Sequence, residues 1–248
     1  MSEFMNTIDL LGDEETAKVI IGRTITEFND NICESIGNYA FSYCSALTSA
    51  DLPNAKSIGD GAFSYCSALT SVDLPNATSI GKNAFQSCSV LASVDLPNVT
   101  STSSDVFIRC TALTNINMPK VTNVDNIFNG CSKLSSVNIP SAQTIKSSAF
   151  TGCVALAFLD LPIVDTIAQA AFRNCKSLNT IVLRRSAGIC TLIGTNAFDG
   201  TPFAAGGTGG TVYVWREFIE QYQNATNWST LYAAGTCNFV AIEGSEYE

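Results

Sequence analysis

The sequence predicts an α/β-type repeat solenoid: a right-handed coil with short parallel strands on its concave face and short helical or 3₁₀ turns on its convex face. Three observations carry this reading. A phenylalanine, a cysteine and a leucine recur together seven times at a near-constant period. Each period has a helix-spaced half and a strand-spaced half. A proline closes six of the seven periods at one slot.

The phenylalanines are Phe41, Phe63, Phe85, Phe107, Phe128, Phe150 and Phe172, at intervals of 22, 22, 22, 21, 22 and 22. Cysteine follows three residues later at Cys44, Cys66, Cys88, Cys110, Cys131, Cys153 and Cys175. Leucine follows three later again at Leu47, Leu69, Leu91, Leu113, Leu134, Leu156 and Leu178. Pro53, Pro75, Pro97, Pro119, Pro140 and Pro162 share a slot that Arg184 takes in the seventh repeat. The consensus is I-G-x-x-A-F-x-x-C-x-x-L-x-x-V-x-L-P-x-A-x-x, clearest from Ile58 to Ser79. So short a unit cannot bury its own apolar positions, so the copies must stack.

Within a unit, Phe63, Cys66 and Leu69 stand three residues apart, which suits a short helical or 3₁₀ turn. Gly59 marks a turn. Val72 and Leu74 alternate with Ser71 and Asp73, the period of a strand. The following proline has no N–H and limits the strand to roughly three to five residues.

Composition narrows the chemistry. Hydrophobic residues make up 46% and charged residues 14% of the chain, against a usual ~25% charged. Ser, Thr, Asn, Ala and Gly fill the difference. Mean hydropathy of +0.20 excludes a disordered polar chain. There is no histidine, which removes Ser–His and Cys–His nucleophile pairs, histidine bases and histidine metal ligands. A net charge of −9 opposes a phosphate-backbone partner, so no nucleic acid is expected. No apolar run is long enough for a transmembrane segment. The first twenty residues lack the basic and apolar regions of a signal peptide.

The I-G-x-x-A-F-x-x-C-x-x-L core with its L-P pair, over about Ile36 to Leu183, resembles the BspA-like leucine-rich repeats of bacterial and protozoan surface proteins. Ala197–Pro202 and the later TVYV and YQNATNWS segments resemble the closing region of such proteins. The resemblance implies a curved leucine-rich-repeat solenoid, exposed at a cell surface, that binds other macromolecules, with adhesion to host proteins as one known role. Similar repeats occur in phage-associated proteins of gut bacteria.

An open stack needs caps. The expected organisation is an N-terminal cap over 1–35, seven leucine-rich repeats over 36–191, and an irregular last repeat with a C-terminal cap over 192–248. Residues 1–34 carry net −6 and residues 217–248 net −5, while 35–216 carry net +2. The first cap should hold a helix over Asp13–Ile21 and a strand over Arg23–Phe28. The second should hold a loop over Gly206–Gly210, strands over Thr211–Trp215 and Cys237–Ile242, and a helix over Glu217–Gln223.

Two ladders invite a chemical reading. One cysteine per repeat, with no C-x-x-C pair, cannot converge on a metal ion as zinc requires. Disulfides between rungs fit the spacing, but a reduced, buried packing ladder is the favoured expectation, with all ten thiols titrating in denaturant. Cys33, Cys190 and Cys237 fall outside the slot. The phenylalanine ladder is read as core. No metal and no cofactor are expected.

The strand positions facing away from the core are the binding candidates: Ser49 and Asp51, Ser71 and Asp73, Ser93 and Asp95, Asn115 and Asn117, Ser136 and Asn138, Phe158 and Asp160, Thr180 and Val182. They should line the concave sheet face. Asp51, Asp73 and Asp95 form a carboxylate row, either solvated or bridged by Ca²⁺. Identical carboxylates offer no distinct acid and base, which opposes catalysis. Phe158 and Val182 break the polar pattern and suggest an apolar contact patch. Tyr43 and Tyr65 should lie on the convex side. Asn76, Asn98, Asn224 and Asn227 head N-x-S/T sequences. The expected function is non-enzymatic recognition of a macromolecule, protein or glycan, by a monomer at a cell surface. A phage-associated or purely structural spacer or receptor-binding component is the alternative.

Overall fold

The computed structural model describes residues 25–248. The helix expected over Asp13–Ile21 lies outside the described residues. Each repeat forms one coil of a parallel-sheet solenoid with two strand columns. The first column holds three-residue strands β1 (Glu27–Asn29), β3 (Ser49–Asp51), β5 (Ser71–Asp73), β7 (Ser93–Asp95), β9 (Asn115–Asn117), β11 (Ser136–Asn138) and β13 (Phe158–Asp160). It ends in the longer β15 (Thr180–Leu183), β17 (Gly210–Val214) and β18 (Cys237–Ala241). Equivalent residues pair in parallel, as Ser49, Ala50 and Asp51 do with Ser71, Val72 and Asp73. Register also sets the first strand: Glu27–Asn29 lies opposite Ser49–Asp51, so the expected Arg23–Phe28 strand ends one residue later, at Asn29.

Proline ends these strands as expected. In β15, Arg184 stands in the proline slot, and the strand runs on through Leu183 to pair with Val214.

A second column runs through the isoleucine slot, where the sequence indicated only a turn. Its strands have two residues each: β2 (Ser35–Ile36), β4 (Ser57–Ile58), β6 (Ser79–Ile80), β8 (Ser101–Thr102), β10 (Asn123–Val124), β12 (Thr144–Ile145), β14 (Thr166–Ile167) and β16 (Thr191–Leu192). Pairs so short have no alternation of their own to read. Gly59 follows this column, where an added Cβ would fall 2.6 Å from the Asn38 amide nitrogen of the preceding coil.

The third side carries the Phe–Cys–Leu segment as a chain of i→i+3 turns. Backbone N–H groups alternate in direction there. Ala62, Ser64 and Cys66 donate back three residues, to Gly59, Gly61 and Phe63. Gly61, Phe63 and Tyr65 donate to Lys82, Ala84 and Gln86 of the next coil. A helix would turn every N–H inward along its own axis and leave the coils unlinked on this side. The alternation requires left-handed residues two positions before and two after each Phe, as at Ala170 (φ 55°) and Asn174 (φ 61°) around Phe172.

The phenylalanines form a stacked column through the centre. Successive rings from Phe41 to Phe172 lie 5.1 to 6.0 Å apart. Phe28 and Phe198 continue the stack at its two ends. The widest gap, 6.0 Å between Phe107 and Phe128, falls in the repeat that is one residue short. Offset stacks of this kind add to the burial of each ring.

The cysteines do more than fill space. The Sγ of Cys66, Cys88, Cys110, Cys131, Cys153 and Cys175 each donates to the Phe carbonyl of the preceding coil at 3.0 to 3.2 Å. That carbonyl also accepts the N–H of its own coil's cysteine, so both lone pairs are used; Phe63 O, for instance, takes Cys66 N–H and Cys88 Sγ–H. The slot cysteines, Cys190 and Cys237 are buried free thiols. Burial pushes Cys44 up to about 11 and Cys88, Cys131, Cys190 and Cys237 up to about 12, from an ordinary 9.0.

The abundance of Ser, Thr and Asn also finds its cause. Thr48 and Thr70 hydroxyls donate to the backbone carbonyls of Thr26 and Thr48 in the preceding coil. Asn76 and Asn98 amides reach Pro53 and Pro75 carbonyls in the same way. Short polar side chains thus answer carbonyls that loops leave unpaired.

At the C-terminal end, a 3₁₀ turn over Thr195–Phe198 carries an eighth Phe, and Thr201 takes the cysteine slot, with its hydroxyl on the Phe198 carbonyl. After β17, a 3₁₀ turn over Arg216–Phe218 leads into α1 (Ile219–Asn224), close to the expected helix. A further helix, α2 (Trp228–Ala233), was not legible in the sequence. Trp228 closes the Phe stack against Phe198 and donates to the Cys190 carbonyl, while Tyr222 Oη accepts the Cys190 N–H.

Two outcomes follow. Thr102 holds the isoleucine slot, and its hydroxyl is buried without a partner. Thr102→Val should therefore raise stability by about 1 kcal/mol, seen as a higher urea midpoint at unchanged slope. The raised thiol pKa values make the unfolded chain ionise first. Stability should be flat below pH 9.0 and fall as pH rises from there towards 12. Thermal unfolding across pH 7 to 11 checks this; a melting temperature that stays level above pH 9.0 contradicts it.

Candidate functional site

Period-two alternation in the first strand column puts Phe28, Ala50, Val94, Ile116 and Leu159 inward and their flanking residues outward. The outward residues pair in register, so they form two rows along the stack. One runs Ser49, Ser71, Ser93, Asn115, Ser136, Phe158 and Thr180; the other runs Asp51, Asp73, Asp95, Asn117, Asn138, Asp160 and Val182. Every candidate from the sequence lies on this face. Register adds Glu27 and Asn29 at one end and Thr211 and Tyr213 at the other. Thr211 and Tyr213 were readable as strand residues; only the pairing of β17 with β15 places them here.

The face divides into three zones. Over β3 and β5 it is a solvated carboxylate zone, with Asp51 and Asp73 exposed. No group of three or more metal-ligating side chains among the described residues is arranged around one point.

Over β7, β9 and β11 lies an open depression of about 490 Å³, lined by Ser93, Val94, Asp95, Asn115, Ile116, Asn117, Ser136 and Asn138. Its polar groups are ordered. Asn117 donates to Asp95 at 2.7 Å, and Asn138 donates to Asn117 at 2.6 Å. This fixes the amide orientations and presents alternating donors and acceptors on an apolar floor of Val94 and Ile116. Such a surface suits hydroxyls or peptide groups.

Over β13, β15 and β17 the face is covered. Residues 244–248 fold back over it, and the Tyr247 ring stacks on Phe158 (5.4 Å) and meets Tyr213 edge-on (4.7 Å). Val182, between those strands, is fully buried. Arg184 pairs with Asp160 and donates through Nε to the Tyr247 carbonyl at 3.1 Å, and Trp215 Nε1 donates to the Arg184 carbonyl at 2.8 Å. The non-polar break in the pattern at Phe158 and Val182 was visible in the sequence; what covers it was not.

On the turn side, Tyr43 and Tyr65 stack at 4.7 Å with planes 3° apart, and Gln86 donates to Tyr65 Oη. The amides of Asn76, Asn98, Asn224 and Asn227 are all engaged with backbone carbonyls.

The two strand columns, the Phe–Cys–Leu turn and the outward polar face define a leucine-rich-repeat solenoid. The chain belongs to the BspA type leucine-rich repeat family, whose repeat region matches residues 23–127 and 120–205. It is similar to a leucine-rich repeat protein of Eubacterium ventriosum, at 33% identity and a TM-score of 0.59, over 64% of this chain and 45% of that one. A leucine-rich repeat protein of Bacteroides ovatus shares 26% identity at a TM-score of 0.58, over 84% of this chain and 57% of that one. A leucine-rich cell surface protein of Faecalibacterium prausnitzii shares the fold at 24% identity and a TM-score of 0.62, over 77% of this chain and 63% of that one. The chain therefore spans less than two thirds of each of these proteins. No curated protein matches it. Among the described residues no helix is long and apolar enough to cross a membrane.

Asn117 bridges Asp95 and Asn138, so Asn117→Asp sets two carboxylates face to face. It should destabilise the fold by about 0.5–1 kcal/mol at low ionic strength, and the loss should shrink in salt. Urea unfolding at two salt concentrations checks this.

Proposed function

We propose that the chain is a non-enzymatic recognition module that binds a macromolecule, protein or glycan, through the outward face of its first strand column, as part of a surface adhesion system. One observation carries the reading: the depression over β7, β9 and β11 presents a fixed Asp95–Asn117–Asn138 hydrogen-bond row above apolar backbone-flanked residues, open to solvent. Repeated, equivalent side chains along an axis fit an extended or repeating ligand better than a small substrate. The slot cysteines whose pKa burial raises are poor nucleophiles, held as neutral donors inside the stack. Family membership supports macromolecular binding and surface display.

The test is direct. The immobilised chain is screened against extracellular-matrix proteins and a glycan panel, then Asp95→Lys with Asn117→Ala is compared. Binding should fall at least about tenfold, an energetic loss of about 1.4 kcal/mol, with the melting temperature of the variant within a few degrees. Unchanged binding by a folded variant removes this face from the function.

A further inference from the structure

The covered end of the outward face resembles an occupied binding site more than a structural seam. Its floor consists of two aromatic side chains, Phe158 and Tyr213, at positions where the open part of the face carries Ser, Asn or Asp. Its centre is a cation, Arg184, fixed on both sides: the guanidinium is paired with Asp160, and the backbone carbonyl is held by Trp215. What sits on it is a short segment after β18, contributing one ring and one main-chain carbonyl.

The segment is locally shaped for the task. Ser245 N–H donates to Ile242, Ser245 Oγ accepts the Tyr247 N–H, and Glu248 accepts the Gly244 N–H, so residues 242–248 form a compact turn that presents Tyr247. Glu243, Glu246 and Glu248 surround it with negative charge, whereas residues 35–216 are net +2. The fit is incomplete: Asp160 Oδ1 is buried with no donor. An occupant with one further N–H group in reach of Asp160 satisfies that oxygen and competes with Tyr247.

We propose that Phe158, Tyr213 and Arg184 form a recognition site for an acidic peptide segment bearing an aromatic side chain, and that residues 244–248 occupy it in the resting chain. The aromatic ring of the partner takes the place of Tyr247, its main-chain carbonyl takes the Arg184 Nε–H, and a partner N–H reaches Asp160. The inference rests on the reading that the outward face is the recognition surface, but it concerns a different zone from the Asp95–Asn117 row.

The experiment uses the full chain and a fluorescein-labelled hexapeptide of sequence Glu-Gly-Ser-Glu-Tyr-Glu as the probe. Anisotropy titrations run up to about 1 mM, the effective concentration expected of a short tether. Tyr247→Ala, which empties the site, should bind the probe at least about tenfold more tightly than the unmodified chain. Adding Phe158→Ser, the residue of the equivalent slot in other repeats, should abolish the gain, and so should changing the probe tyrosine to alanine. The proposal is overturned if Tyr247→Ala, shown folded by its thermal transition, does not bind the probe, or binds the alanine probe equally well. It is also overturned if the unmodified chain sediments as a dimer that Tyr247→Ala makes monomeric, since the segment would then dock between copies. Because the probe needs no natural ligand, failure here leaves the Asp95 and Asn117 test to stand or fall by itself.

Discussion

Each coil must answer the hydrogen-bonding groups of the next at a spacing close to that of paired strands, and everything else in the molecule follows from that constraint. In the two strand columns the answer is ordinary parallel pairing. On the third side the backbone alternates, with one N–H turned into its own turn and the next passed along the stack, as for Ala62 and Phe63. The alternation explains why a segment with helical side-chain spacing forms no helix. It also explains why Tyr65, Ser87 and Arg109, residues that disfavour left-handed backbone, adopt it at φ near 60°. The local strain is offset by a full set of bonds between coils.

The same constraint selects the side chains. A phenylalanine stacks on its copy because the coils stand a ring's separation apart. A cysteine sits beside it because the Phe carbonyl has a second lone pair, and a small thiol reaches it without bringing the hydration of a hydroxyl into the core. Threonine and asparagine recur at the corners because their short side chains reach carbonyls one coil back. Where the chain departs from the pattern, the departure is structural at Thr102 and at the shortened fourth interval, and is tied to the covered face at Phe158, Val182 and Arg184.

Regular stacking leaves one surface free to vary, the outward side of the three-residue strands. Its residues touch no core, so the fold tolerates serine, aspartate, asparagine or phenylalanine there. The face is therefore where a partner can be specified without disturbing the coil. One part is an open polar depression, and another is held under Tyr247. The two differ in chemistry, hydrogen-bonding in one case and aromatic with a fixed cation in the other, and they are separated along the stack.

The sequence by itself determined the solenoid, its period, the core ladders and which residues face outward, because a strict repeat turns one local pattern into long-range geometry. The Ser–Asp and Ser–Asn pairs were legible for that reason. The second strand column was not: a two-residue strand has no periodicity, and its pairing exists only between coils. The thiol–carbonyl bonds were equally hidden, since the cysteine and its acceptor are 24 or 25 residues apart and neither signals the other. The helix α2 and the placement of Tyr247 over Phe158 were also beyond it, because they lie outside the repeat, where no copy predicts the next. Tertiary structure alone decided these, since each depends on which non-repeating residues happen to meet once the stack has formed.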